Sequence, residues 1–160
     1  MSRNIGEFQL RSRLDAPPAQ VWERVITPEG INSELMPICR MTLPRGLRTL
    51  DPSEIELGKP LGRSWILLFG FLPIDYDEIT LIRLEPEKGF LERSRMLTQS
   101  VWEHERTIEP DGENGSLLSD RVRFEPRLRV LARPLLPVFR AVFRHRHRRL
   151  RRQFGGVPAR

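Results

Sequence analysis

The segment from Arg129 to Phe154 most constrains the fold of this chain. Projected at about 100° per residue, Leu135, Phe139, Val142, Phe143, Leu150 and Phe154 fall on one stripe. A helix striped in this way must lay that face on another apolar surface. Pro134 and Pro137 delay it, so the helix is expected over about 135–154, and Gly155-Gly156 supplies the stop. Arg146 lands in the middle of the apolar stripe.

The residues before this helix alternate with strand period. Phe8, Leu10, Ser12 and Leu14 share one face of a first strand, opposite Gln9, Arg11 and Arg13. Asp15-Ala16-Pro17-Pro18 ends it, and Val21, Trp22 and Val25 then recur at helical spacing up to about Ile26. Thr27-Pro28 stops that helix and opens a second, Pro28 to Leu35, with Thr27 as its N-cap. Further strands are expected over 36–43, 62–74, 75–84, 89–97, 100–109 and 117–124, with a tight turn at Pro73 and hairpin loops at Glu85–Gly89 and Pro110–Gly115. Pro44 to Pro60 reads as a long irregular loop of the kind that borders functional sites. A run of antiparallel strands with helices set to one side is an α+β domain. It is expected to be a single domain over residues 1–160, with seven strands, two short helices after the first strand and one long C-terminal helix. A curved sheet wrapped round such a helix leaves a cavity between them.

Charge and cysteine content narrow the function classes. The net charge is +6, and seven arginines and two histidines lie between Arg140 and Arg152. That segment is either a solvated helix face or a contact for phosphate on an anionic membrane surface or RNA, through Arg140, Arg144, Arg148, Arg151 and Arg152. No aromatic side chains interleave the basic face as a stacking platform would require. The single cysteine, Cys39, excludes an internal disulfide and multi-thiolate zinc sites, which suits a reducing, cytoplasmic setting. Met1 to Leu10 carries no apolar secretory core, and the ten-residue apolar run Trp65–Ile74 is half the ~20 residues needed to span a bilayer. Neither a phosphate-cradling glycine loop nor a dinucleotide fingerprint occurs, and His145 and His147 are not at the i, i+4 spacing of a helical metal pair, so neither cofactor nor metal is expected.

Several stretches together resemble a known superfamily. They are the first strand with Asp15-Ala16-Pro17-Pro18-Ala19-Gln20-Val21-Trp22, then Thr27-Pro28-Glu29-Gly30-Ile31, Trp102-Glu103-His104, Leu118-Ser119-Asp120-Arg121-Val122 and Phe143-Arg144-His145-Arg146-His147. In this order they are similar to the START and polyketide-cyclase-like superfamily, often called SRPBCC, which has the helix-grip fold. The resemblance implies a deep apolar cavity under the C-terminal helix. It also implies binding of lipids, sterols or polyketide-like molecules, with cyclase or dehydratase activity in some members.

Strand alternation nominates the polar groups of such a cavity. Trp102, His104, Arg106 and Ile108 share one face, and Glu103 and Glu105 occupy the other, which suits water. Leu118, Asp120, Val122 and Phe124 share an apolar face, which makes Asp120 an inward carboxylate. With Arg146 on the helix stripe, His104 and Asp120 are expected to converge under the helix. Two roles are open to them: a buried ion-pair network without chemistry, or an anchor or acid–base pair for a ligand. Trp65, Phe69, Phe90 and Met96 are expected to line the cavity from the sheet together with Trp102, and Phe139 and Phe143 from the helix. Phe71 belongs with this apolar set.

The expected function is therefore binding of a hydrophobic small molecule. One alternative is a cyclase- or dehydratase-type enzyme with His104 and Asp120 as catalysts. The other is an interaction protein that uses the basic helix. Binding without catalysis is the better-motivated reading, because neither Ser12 nor Ser94 carries a nucleophile signature.

Overall fold

The computed structural model describes residues 5–44, 47 and 51–160 of the chain. In order, the elements are β1 (Gly6–Leu14), α1 (Pro18–Val25), α2 (Pro28–Leu35), β2 (Cys39–Met41), β3 (Pro60–Leu68), β4 (Leu72–Glu85), β5 (Gly89–Met96), β6 (Gln99–Asp111), β7 (Gly115–Pro126), α3 (Ala132–Phe154) and β8 (Gly156–Ala159). The strands form one open sheet in the order β2-β3-β4-β5-β6-β7-β1-β8, antiparallel at every pairing. The long helix packs on β1 and β7, and α2 packs on the helix. This is the helix-grip arrangement.

The sheet has eight strands rather than seven. The extra one, β8, follows the helix stop: Gly155 and Gly156 take φ of 78° and 122°, and the chain returns along β1 with Leu14 opposite Gly156 and Arg11 opposite Ala159. A Cβ on Gly156 would lie 2.0 Å from the Arg13 carbonyl oxygen, so glycine is required for this approach. Four residues that include Pro158 are too few to show a strand period, and proline is tolerated there because the strand is an edge.

Other boundaries also move. The turn expected at Pro73 sits at Phe69–Phe71, where Phe69 and Gly70 have positive φ, and Pro73 lies inside β4. The helix begins at Ala132, earlier than expected, because Pro134 falls in the first turn, where its missing N–H has no helical partner to lose. The Pro44–Pro60 loop falls partly outside the described residues. Its stretch 51–59 carries only turns and inserts Ile55 into the core.

One glycine sets the position of the two short helices. A Cβ on Gly30 would lie 1.7 Å from the Arg24 carbonyl oxygen, so only glycine lets α2 approach the end of α1 so closely. Thr27 caps α2 by accepting a hydrogen bond from Gly30 N–H at 3.0 Å. Glu34, one turn further on, is thereby buried in the protein interior.

Two apolar clusters make the core. The first contains Leu14, Trp22, Leu81, Ile108, Leu118 and Leu150, and the second contains Phe8, Met96, Trp102, Val122, Phe124 and Phe143. Along β1, β6, β7 and α3 alike, polar residues separate one cluster from the other: Ser12, then His104 and Arg106, then Asp120, then Arg146 and His147. A polar belt thus crosses the middle of the core.

Candidate functional site

Alternation builds the belt. His104 and Arg106 follow Trp102 on the inward face of β6, and Asp120 sits between Leu118 and Val122 on the inward face of β7. Arg106 and Asp120 are opposite each other in the β6–β7 register. The Arg106 guanidinium donates from Nε to Asp120 Oδ1 at 2.8 Å and from Nη2 to Oδ2 at 2.7 Å. Its other edge meets Glu34, with Nη1 at 2.9 Å from Oε1 and Nη2 at 3.0 Å from Oε2. Arg146 reaches Glu34 Oε2 from α3 through Nε at 2.9 Å. Two carboxylates and two guanidiniums therefore neutralise one another away from water, the condition under which buried charge is tolerated.

Two histidines complete the belt. His104 Nε2 lies 2.8 Å from Asp120 Oδ1, and His147 Nε2 lies 3.0 Å from Oδ2. A carboxylate only accepts, so both Nε2 atoms carry the proton. His147 Nδ1 is 2.8 Å from Ser12 Oγ, and Arg151 Nη1 donates to that oxygen at 2.7 Å. The serine proton is thus free to be donated to His147.

These contacts fix the carboxyl protonation. For Glu34 burial acts to raise the pKa, but Arg106 and Arg146 outweigh it and hold the carboxyl below its ordinary range. Burial opposes ionisation of Asp120 too, and Arg106, then His104, hold it well below. The Arg106 guanidinium is held above its ordinary value by Asp120 and Glu34 against the effect of burial. Asp120 receives four donors on two oxygens, which fills its acceptor sites. It therefore has no lone pair left for a ligand or a reaction and serves to hold the two imidazoles.

Next to the belt lies a cavity of about 220 Å³ between sheet and helix. Its walls are mainly apolar, including Ile66, Leu68, Met96, Trp102, Phe139 and Phe143. A smaller lobe of about 80 Å³ lies beside Val25, Ile31, Ile79 and Phe90. Met41, Glu92, His104 and Arg146 line both spaces and stand where they meet. Trp102 packs edge-on to Phe139 at 5.3 Å between ring centroids, and His104 packs edge-on to Phe143 at 5.0 Å and to Phe90 at 5.2 Å.

Several residues nominated from sequence thus gather at one place. Met96, Trp102, His104, Phe139, Phe143 and Arg146 line the larger space, and Phe90 lines the smaller. His104 and Asp120 touch, but Arg146 joins them through Glu34 and Arg106 rather than directly. Four placements are corrected. Asp120 is fully buried behind His104 and lines neither space. Trp65 is 43% exposed on the outer face of β3, against Tyr76, because Ser64, Ile66 and Leu68 take the inward positions. Phe69 is 62% exposed, since the positive-φ turn carries it off the strand, and Phe71 is exposed beside it.

Glu34, Arg106, Ser12 and His147 were not nominated as site residues, although Arg106 stood on the right strand face. Asp77 and Glu92 were missed as well, and both line the cavity. Burial, and then the charge of Glu92, raises the Asp77 carboxyl well above its ordinary range. The signal in the sequence was the alternation Asp75, Asp77, Ile79, Leu81, which puts two carboxyls on an inward face.

A second concavity, about 660 Å³ and open to solvent, lies between α3 and the β1–β8 edge. Arg11, Arg140, Arg144, Arg148, Arg151 and Arg160 line it, and among the described residues no acidic side chain does. Arg152 is exposed outside it. Among the described residues no helix is long and apolar enough to cross a membrane.

A family model described as a domain of unknown function, DUF8410, matches residues 12–154. No curated protein matches the chain. Among solved structures, protein CV1439 from Chromobacterium violaceum superposes with a TM-score of 0.70 at 15% identity, over 94% of this chain and 98% of that one. A START superfamily protein from Mycobacterium smegmatis gives 0.66 at 11% identity, over 93% and 97%. The Zhui aromatase/cyclase from a Streptomyces species gives 0.64 at 12% identity, over 91% of each chain. At these identities the likeness establishes the helix-grip fold alone.

Proposed function

The chain belongs to the DUF8410 family, and we propose that it binds a small hydrophobic molecule in the cavity between its sheet and α3. The observation that carries this reading is the cavity of about 220 Å³, walled by Trp102, Phe139, Phe143 and Met96 and bounded on one side by His104, Glu92 and Arg146. Close-packed interiors do not leave such spaces without cause. A cavity of ~150 Å³ already holds benzene, whereas drug-sized ligands use ~300–1,000 Å³. The fit is therefore to a one- or two-ring body or a short acyl chain, and a sterol or long lipid would need α3 or the turn at Phe69–Phe71 to shift. The test is a native mass-spectrometry and thermal-shift screen of small aromatics, short fatty acids, sterols and aromatic polyketides. Retention of the small members is expected, and a screen in which none is retained sinks the reading.

Catalysis would fall to His104 alone. Its Nδ1 is 4.0 Å from Glu92 Oε2, and its Nε2 is held by Asp120. The imidazole is thus positioned as a proton carrier of the cyclase or dehydratase kind. His104→Gln should then abolish turnover of a bound polyketide while leaving its binding intact.

The arginine-lined concavity favours a second reading, contact with an anionic phosphate surface. Arg140→Gln with Arg144→Gln and Arg148→Gln should remove binding to anionic vesicles or RNA that weakens with salt. Absence of such binding by the unaltered chain at low salt rejects it.

A further inference from the structure

Asp75 and Asp77 stand two residues apart on the inward face of β4, and both are buried, yet their surroundings differ. Asp75 Oδ1 accepts from the backbone N–H of Tyr76, Leu97 and Thr98, and its Oδ2 accepts from the Thr98 hydroxyl. It is a structural carboxylate with its acceptor sites filled. Asp77, 3% exposed, lines the cavity beside the Glu92 carboxyl and the Ser94 hydroxyl, and its Oδ1 has no hydrogen-bond donor among the described residues. An orphaned buried acceptor of this kind costs about 1–3 kcal/mol unless something meets it.

Its neighbour is also a carboxyl. Glu92 lines the same space from β5 and accepts from Ser94 Oγ at 2.6 Å. Among the described residues neither Asp77 nor Glu92 lies within 4.0 Å of an arginine or lysine nitrogen, and the one basic atom at that distance is His104 Nδ1. The guanidinium charge of Arg146, facing the cavity from α3, is already met by Glu34, and that of Arg106 by Glu34 and Asp120. The belt is electrically closed, and the two cavity carboxyls are left outside it. The remaining wall is apolar, apart from the Cys39 thiol, whose ionisation burial opposes.

Resting on the cavity-binding reading above, we infer that the ligand carries a protonated amine, seated between Asp77 and Glu92 with its apolar body against Trp102 and Phe139. An ammonium supplies several N–H donors for the orphaned Oδ1 and the Glu92 carboxylate, together with the positive charge that this corner lacks. A hydroxyl supplies one donor and no charge, and a carboxylic acid would add a third acid to an uncompensated pair.

The experiment uses three probes of nearly equal size, benzylamine, benzyl alcohol and ethylbenzene, titrated into the full chain by calorimetry at neutral pH. Benzylamine is expected to bind at least about tenfold tighter than either neutral probe, the factor that a charge-assisted hydrogen bond supplies. Asp77→Asn and Glu92→Gln, each a near-isostere checked for a native circular dichroism spectrum, should erase that preference while ethylbenzene binding persists. Equal binding of all three probes by the unaltered chain overturns the amine inference and leaves the cavity reading standing. Binding of none overturns both. A benzylamine preference that survives both substitutions places the amine elsewhere and overturns the site.

Discussion

Arg106 grips Asp120 across the β6–β7 ladder with a two-point fork, Nε to Oδ1 at 2.8 Å and Nη2 to Oδ2 at 2.7 Å. Neither side chain is more than 1% exposed, and the same guanidinium holds Glu34 on its other edge. Arg106→Met would leave Glu34 buried with only Arg146 to meet it, and Asp120 with only the two imidazoles and no guanidinium. The expected cost is ~3–5 kcal/mol, the range for breaking a buried pair from one side. Urea denaturation measures it. Arg106→Lys should recover only part of the loss, because an ammonium keeps the charge but not the fork.

Stability should depend on pH with two opposite signs. Glu34 and Asp120 have folded pKa values below their ordinary 4.5 and 3.8. Their contribution is present above those ordinary values and is lost as pH falls through the depressed ones. Asp77 is raised above its ordinary 3.8, so it keeps a proton in the folded chain that the unfolded chain has released. Its contribution is present below that value and is lost as pH rises through the raised one. Asp77→Asn should therefore leave acid unfolding unchanged and stabilise the chain toward neutral pH. Urea midpoints measured from acid to mildly alkaline pH test this, and a variant less stable than the unaltered chain at neutral pH would refute it.

The cavity can be closed from the helix side. Val142 lines it from α3 and is half-buried. Val142→Phe should put a ring into the space and abolish uptake of ethylbenzene at a stability cost of no more than ~1–3 kcal/mol. Quenching of tryptophan fluorescence on ligand addition, to which Trp102 contributes, is the readout. Uptake that continues unaltered would place the ligand elsewhere.

Gly30 should be intolerant although it lines neither space of the cavity. An alanine Cβ would lie 1.7 Å from the Arg24 carbonyl oxygen, which forces α2 away from α1 and Glu34 away from the guanidiniums. Gly30→Ala is expected to cost at least ~1–3 kcal/mol. It should also weaken ethylbenzene uptake, because Arg146 then loses the carboxylate that orients it.

Local pattern carried much of this chain. The inward faces of β1, β6 and β7 followed from alternation because a strand buried on one side must separate apolar from polar residues. Arg146 was visible as a charge inside an apolar helical stripe for the same reason. On β3 the rule lost its force: both faces are apolar, so period 2 could not say which one the helix covers, and Trp65 went to the wrong side. The edge strand β8 was too short to carry a period at all.

The sequence by itself determined the order of elements as far as the long helix, the helix stripe and the polar positions that interrupt the inward faces, since these depend on neighbours a few residues apart. Tertiary structure alone decided who partners whom. Glu34 meets Arg106 across 72 positions, and Ser12 meets His147 across 135. Only packing shows that Asp120 has all its donors while Asp77, an equally buried aspartate, lacks one. A carboxyl's role depends on which donors reach it, and that is set by distances between strands and helices that no local spacing encodes.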